Sequence, residues 1–395
     1  MTDLDTTPTG HDPAFVPPPP GPGAPGRKRR RWPIVLGVLV AIVGGGVWGL
    51  SRWNVNYYAI TPGDATPVAP LITVPPAFNH PFSGSVLLTD VFVTQLNALT
   101  FLQERYFSSD AEVISTSDLL GPSTPPDQFF AQGYLEMTQA QQAATAAALN
   151  TLGYTVRADN AGALIYGIQP NSPAADSLKV AEVVVGVDYT LTPTACALVH
   201  ALNGLHPGST AVLKVEKSYI NDSGVFVPGP VVQQKVTLGT PPKGLVETGC
   251  GRSTVPTAFL GIEPQTQYAW NFPVTVHVHT AGIGGPSAGL AMTLGIIDKL
   301  SGGHLTGGHI VAATGTIDAA GNVGDVGGVA EKTIAVERAG ATVFFVPPQE
   351  LAAARSKATA GLHVYAVSTL DQALRILKRL GGTVTTSHLL PQAAP

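Results

Sequence analysis

The chain has 395 residues, of which 44% are hydrophobic and 12% charged, with a formal net charge of −4. That length exceeds the usual size of one domain, so two or more folded units are expected. The near-neutral charge gives no sign of nucleic-acid binding outside one local basic run, and no nucleic-acid partner is expected.

Residues 1–26 are rich in Pro, Gly and Thr, include Pro17 to Pro20, and cannot build a core. Together with Arg27-Lys28-Arg29-Arg30-Arg31 they read as a disordered basic tail over 1–31. An uncharged run from Pro33 to Ser51 follows, which predicts a transmembrane helix over 33–52. Trp32, Trp48 and Trp53 stand at or near its ends, where indole rings favour the membrane interface. The basic cluster should stay cytoplasmic, which puts the large C-terminal part outside the cell membrane. No A-x-A-like cleavage site follows the apolar run, so an anchor is preferred to a cleaved signal peptide. Thr61 to Pro76 carries five prolines, and residues 53–80 read as a Pro-rich linker. Residues 81–153 read as an α/β segment that could open the C-terminal domain, with a strand at Gly84–Val93 and one or two Ala-rich helices over 127–152 ended by Gly153.

Residues 154–240 change character. Short apolar strands are expected around Ala163–Ile168, Val180–Val187 and Ala211–Glu216, with a helix near Cys196–Leu202. The run from Gly162 to Ala175 (G-A-L-I-Y-G-I-Q-P-N-S-P-A-A) resembles the core strand and turn of a PDZ domain, and Leu205 to Val215 (L-H-P-G-S-T-A-V-L-K-V) resembles its later turn and strand. Two departures weaken the match: Ala181-Glu182 stands where Gly-Asp is frequent, and Asp188-Tyr189 replaces an Asn-Gly turn. The resemblance implies a mainly-β module that receives an extended peptide as an added strand, or one that only shields a neighbouring site.

Beyond Pro241-Pro242, Val274 to His279 alternates as a strand and leads into Gly284-Gly285-Pro286-Ser287-Ala288-Gly289. Pro286 suits a first helical turn, where its missing N–H is no loss. The run Leu290, Met292, Leu294, Ile296, Ile297, Leu300 is apolar enough for a buried helix. Ser287 is then placed where unpaired N–H groups and the positive helix end converge, a setting suited to holding an oxyanion. Further expected elements are a strand at Ile310–Ile317, a Gly-rich loop at Gly324–Gly328, a helix at Val329–Ala339, a strand at Val343–Val346 and an amphipathic helix at Ser368–Leu380.

The ordered blocks His-Val-His, G-G-P-S-A-G-L, A-T-G-T-I-D and V-G-G-V-A-E-K, from about Val274 to Pro347, resemble the proteolytic domain of the Lon family of serine proteases; the domain is expected over 241–382, with a flexible tail at 383–395. The resemblance implies an α/β (α+β) Lon-type domain accompanied by a mainly-β PDZ-like module and one N-terminal transmembrane helix. Anchor, module and domain together are similar to the ATP-independent, PDZ-containing branch found in bacteria. The resemblance makes Ser287 the nucleophile, Lys332 its general base and Thr314 the residue that holds the lysine, with Thr316 a weaker candidate. Gly285, Pro286 and Ala288 then shape the loop, and N–H groups around Ser287 and Ala288 form the oxyanion hole. Its implied partners are protein or peptide substrates and a possible homo-hexamer; no cofactor and no metal is expected. A lysine serves as base only when neutral, and burial lowers its pKa toward that state. Lys332 has small or apolar neighbours in Val329, Ala330, Ile334 and Ala335. Many Lon proteases carry Asp at the position of Gly284 and Pro at that of Asp325; the latter exchange could bring a carboxylate near the lysine.

Other readings are weaker. His277 and His279 share a strand face, but no third metal ligand is motif-linked, and motif order favours lysine over a Ser-His-Asp triad. Glu331-Lys332-Thr333 lacks the Gly that a phosphate-binding loop needs before its lysine. Cys196 and Cys250 lie on the side that tolerates disulfides, and sequence leaves their pairing open. The alternative to an enzyme is a PDZ-bearing membrane scaffold whose protease domain is inactive or closed.

Overall fold

The computed structural model describes residues 21, 31–78, 80–245, 250, 257–280 and 282–385. Nearly all of the expected basic tail, and residues 386–395 of the expected C-terminal tail, lie outside them. The chain divides into two units, 1–50 and 51–395. In the first lies most of helix α1 (Trp32–Arg52), long and apolar enough to cross a membrane, none of whose residues is buried.

The larger unit begins with strand β1 (Asn54–Pro67), β2 (Ile72–Thr73) and β3 (Ser85–Asn97). Helix α2 (Ala98–Phe107), β4 (Glu112–Ser115), α3 (Thr116–Leu120) and the long α4 (Pro126–Thr151) follow. Next come β5 (Arg157–Ile168), β6 (Val183–Val187), β7 (Thr190–Leu191), α5 (Ala195–Leu202), β8 (Thr210–Ile220), β9 (Phe226–Thr237) and β10 (Ile262–Asn271). The remainder is β11 (His277–Val278), α6 (Gly289–Leu300), β12 (Ile310–Ala313), β13 (Thr316–Ile317), β14 (Val323–Gly324) and α7 (Val329–Arg338). It ends with β15 (Val343–Val346), α8 (Leu351–Lys357), β16 (His363–Ala366) and α9 (Leu370–Arg379).

One six-stranded sheet has the order β16-β15-β12-β3-β1-β4. Its β16, β15, β12 and β3 are parallel, whereas β1 is antiparallel to both β3 and β4. The stretch expected as a Pro-rich linker over 53–80 is therefore not a linker: it supplies an interior strand. Its prolines mislead because they fall where the ladder tolerates them. Pro62 borders a register shift before Ala65, and Pro67 ends the strand. Tyr58 and Ala59 are buried, as are Val68, Ile72 and Phe78 just beyond. Every residue of α6 is buried, and the helix shares one core with the Ala-rich face of α4, Leu88 of β3 and Phe345 of β15. Helices that present small residues can approach closely, and here α4 lies directly on the helix that begins at the serine loop.

The second sheet runs β10-β5-β6-β8-β9, with β7 beside β6. It has its own core, with Ile165, Leu198, Leu213, Val215 and Leu260. Strand β10 pairs antiparallel with β5, from Ile262 opposite Ile168 to Asn271 opposite Arg157. The boundary expected at 240/241 thus moves: the module extends through residue 271, inserted between α4 and β11. Other departures are local. Val274–His279 yields only the two residues of β11, because its partner β2 is equally short and is followed by Pro75-Pro76. The strand expected at Ile310–Ile317 breaks at Thr314-Gly315, where the chain leaves the sheet to bond the serine loop.

Cys196 of α5 and Cys250 form a disulfide, with Cα atoms 5.3 Å apart. It closes a loop with a sequence separation of 54 residues, and closures of that kind stabilise by about 2–4 kcal/mol. Cys196→Ser with Cys250→Ser is expected to lower the denaturant midpoint of the module, measured by chemical unfolding; an unchanged midpoint would contradict this.

Candidate active site

The serine loop is built on two backbone requirements. Gly285 has φ of +86°, which glycine adopts without strain, and it turns the chain into a 3-10 segment over Pro286–Ala288. Its N–H donates to the carbonyl of Gly133 in α4 at 2.7 Å. A Cβ on Gly133 would stand 3.6 Å from the Gly285 nitrogen, an ordinary van der Waals contact. The carbonyl of Ser287 accepts from the Gly315 N–H at 2.9 Å, and the Leu290 N–H donates to Gly315 O at 3.1 Å. The loop is thus clamped by α4 on one side and by the β12–β13 break on the other. Ser287 is half-buried and Ala288 buried.

Lys332 comes from the first turns of α7, whose N-cap Gly328 is left-handed. The helix packs across β1, so the lysine is only 3% exposed. Its Nζ donates to Thr314 Oγ1 at 3.3 Å, and that hydroxyl donates to the Ser287 carbonyl at 3.3 Å. Thr314 therefore joins the two expected catalytic residues, while Thr316 lies in β13 beyond the break. Burial brings the Lys332 pKa down from 10.5 to about 8, against smaller opposing effects of Asp90, Glu350 and Glu331. The carboxylate expected near the lysine from the Asp325 exchange is not among these, and Asp325 is exposed. Asp90 takes that place. Burial raises its own pKa, while a hydrogen bond from the Asp64 N–H at 2.7 Å and the Lys332 charge act the other way.

Ser287 and Lys332 line one cavity of about 420 Å³. Its other walls are Asp90–Val93 of β3, the loop Gly282–Gly285, one face of α4 from Phe129 to Glu136, and Tyr166 of β5 in the inserted module. Pro286 and Ala288 shape the turn without lining the cavity. His277 and His279 are exposed, and His279 Nδ1 lies 2.7 Å from Ser223 Oγ. Among the described residues no cluster of three or more His, Cys, Asp or Glu could hold a metal. Sequence reasoning missed Asp90, Glu136, Tyr166 and the aromatic wall. None carries a local motif; β3, α4 and β5 meet the serine loop only through the tertiary fold.

Residues 254–379 match the model of the Lon protease (S16) C-terminal proteolytic domain. The chain is similar to a Lon protease of Chloroflexus aggregans, 30% identical over 169 residues that make up 40% of this chain and 20% of that protein. A Lon protease of Koribacter versatilis is 26% identical over 219 residues, 53% of this chain and 23% of that protein. A third, from Mycoplasma genitalium, is 43% identical over 76 residues, 19% and 9% of the two chains. The chain thus spans about a fifth of the length of the first two relatives. Among solved structures, the PDZ domain of an SdrC-like protein from Listeria monocytogenes is 14% identical, with a TM-score of 0.20, covering 26% of this chain and 87% of that one. The similarity to Lon proteolytic domains thus falls on residues 254–379, a span whose strand β10 pairs with the inserted module.

Proposed function

We propose that the protein is a membrane-anchored, ATP-independent serine endopeptidase that cleaves unfolded or flexible extracytoplasmic proteins. One observation carries the reading: a lysine buried to 3% exposure, tied through Thr314 to the backbone of Ser287, shares a cavity with that serine. Neutral Lys332 accepts the Ser287 Oγ proton as Oγ attacks the scissile carbonyl, then delivers it to the departing amine. Water, deprotonated by the same lysine, releases the acyl group and restores the serine. N–H groups of Ser287 and Ala288 are the proposed oxyanion donors; in this structure Gly285 donates to Gly133, and Pro286 has no N–H.

The remaining parts of the reading have separate supports. Helix α1 and the preceding basic cluster support an anchor with the catalytic unit outside. ATP independence is carried over from the resemblance to the PDZ-containing, ATP-independent branch. Edge strand β10 and α5 flank a groove of about 380 Å³, which suits an added peptide strand and supports a PDZ-like role in substrate binding or regulation. A hexameric ring is carried over from the family resemblance.

The test is cleavage of unfolded casein by the full chain in detergent, with labelling of Ser287 by a fluorophosphonate. The scaffold reading expects neither. With chemistry rate-limiting, activity should rise with pH through about 8, because Lys332 must lose its proton to act. A profile flat from about pH 6 to 9 would remove the lysine from the base role.

A further inference from the structure

We infer that the catalytic cavity selects a basic side chain, Lys or Arg, beside the scissile bond, and that the selecting group is Glu136 as held by Tyr166 of the inserted module. The inference rests on the protease reading above and adds the substrate class.

Two carboxylates, Asp90 and Glu136, line the cavity against a single basic group, Lys332. Lys332 must be neutral to act as base, so at the moment of attack the lining offers acidic groups and no cation. A substrate carboxylate is repelled there and a cation is attracted. Among the described residues no ion pair engages Glu136. The apolar wall suits the stem of a long basic residue. Phe129 and Phe130 meet edge-to-face at 5.6 Å, with Phe130 45% exposed, and Phe92, also in the lining, is 51% exposed. Open ring faces of this kind also attract a guanidinium or ammonium head.

Glu136 is not a free surface acid. Its Oε1 accepts the Tyr166 hydroxyl proton, which leaves Oε2 for a ligand. Burial, and then Glu136 itself, raise the Tyr166 pKa, so the phenol stays a donor. The same helix face is bonded to β5 twice more: Gln132 Nε2 donates to Tyr166 O at 3.0 Å, and the Ile168 N–H donates to Gln128 Oε1 at 3.2 Å. Residues 128, 132 and 136 recur at intervals of four, one stripe along α4. Next to that stripe is Gly133, whose carbonyl receives the serine loop. The inserted module thereby sets the position of Glu136 relative to Ser287, so Tyr166 is a positioning residue and Glu136 the specificity-determining one.

The experiment uses full-length protein and fluorogenic peptides that differ only at the residues flanking the cleaved bond, as Arg, Lys, Leu or Glu. Wild type should cleave the Arg and Lys peptides with a kcat/KM roughly tenfold above Leu and further above Glu. Glu136→Gln should bring the Arg-to-Leu ratio close to one. Tyr166→Phe, which removes only the hydroxyl, should lower that ratio while Glu136→Asp retains part of it. Asp371→Asn, at an exposed position of α9, should leave it unchanged. Fluorophosphonate labelling of Ser287 and the melting temperature report whether each variant is folded. Labelling with cleavage indifferent to the basic residue, or an Arg preference that survives in folded Glu136→Gln, overturns the inference alone. Absence of both labelling and cleavage in wild type overturns the protease reading and the inference with it.

Discussion

Replacing Ser287 with Ala, or Lys332 with Met, is expected to lower peptide-bond cleavage by about 10⁴- to 10⁶-fold, the scale seen when a nucleophile or its base is removed. The two losses should not add in the double variant, because nucleophile and base act in one step. Lys332→Met carries a second expected result that Ser287→Ala does not. A lysine whose pKa falls from 10.5 in the unfolded chain to about 8 when folded opposes folding by on the order of 3 kcal/mol. The sign follows from proton binding. Below pH 8 both states hold the proton and the folded state bears the full penalty of a buried ammonium. Between pH 8 and 10.5 the folded state releases its proton first, and stability rises with pH. Methionine fills similar volume without charge, so this variant should be inactive yet more stable, most clearly below pH 8. Denaturant unfolding at pH 7 and pH 10 checks both parts. A destabilised Lys332→Met at pH 7 would contradict the burial argument.

The second large effect concerns the stretch that looks like a linker. A chain beginning at Pro81 should fail to fold, whereas one beginning at Trp53 should unfold cooperatively. Removing residues 53–80 takes β1 from between β3 and β4 and strips Tyr58, Val68, Ile72 and Phe78 from the core. Burial of such side chains contributes roughly 1.5–3 kcal/mol each, so their sum rivals the 5–15 kcal/mol that holds a typical domain together. It also uncovers α7, which packs on β1 and carries Lys332. Circular dichroism and limited proteolysis of the two chains decide the matter. Equal behaviour would restore the linker.

That error shows where sequence patterns stop. A proline count treats each proline as a break, but Pro62 and Pro67 stand at a bulge and at a strand end, which only the pairing register reveals. The end of the inserted module at residue 271 was hidden similarly, since β10 belongs with β5 across about ninety intervening residues. By contrast, the helix that carries Lys332, the apolar helix after Ser287 and the strand at Val343–Val346 were legible, because each rests on periodicity or turn chemistry within one short window.

The serine loop and the lysine helix can be read in the sequence, since a Gly-Pro turn and a Gly-capped helix are locally encoded, whereas the strand break that turns Thr314 toward them cannot. What surrounds them came from packing. It set Asp90 near Lys332, passed the Gly285 N–H to Gly133, and brought Glu136 and Tyr166 into the cavity. The physical reason is that burial and charge depend on which distant strands and helices pack together. The small and apolar neighbours of Lys332 hint at burial, but its pKa of about 8, which the proposed base role needs, depends on β1 and its neighbours covering it.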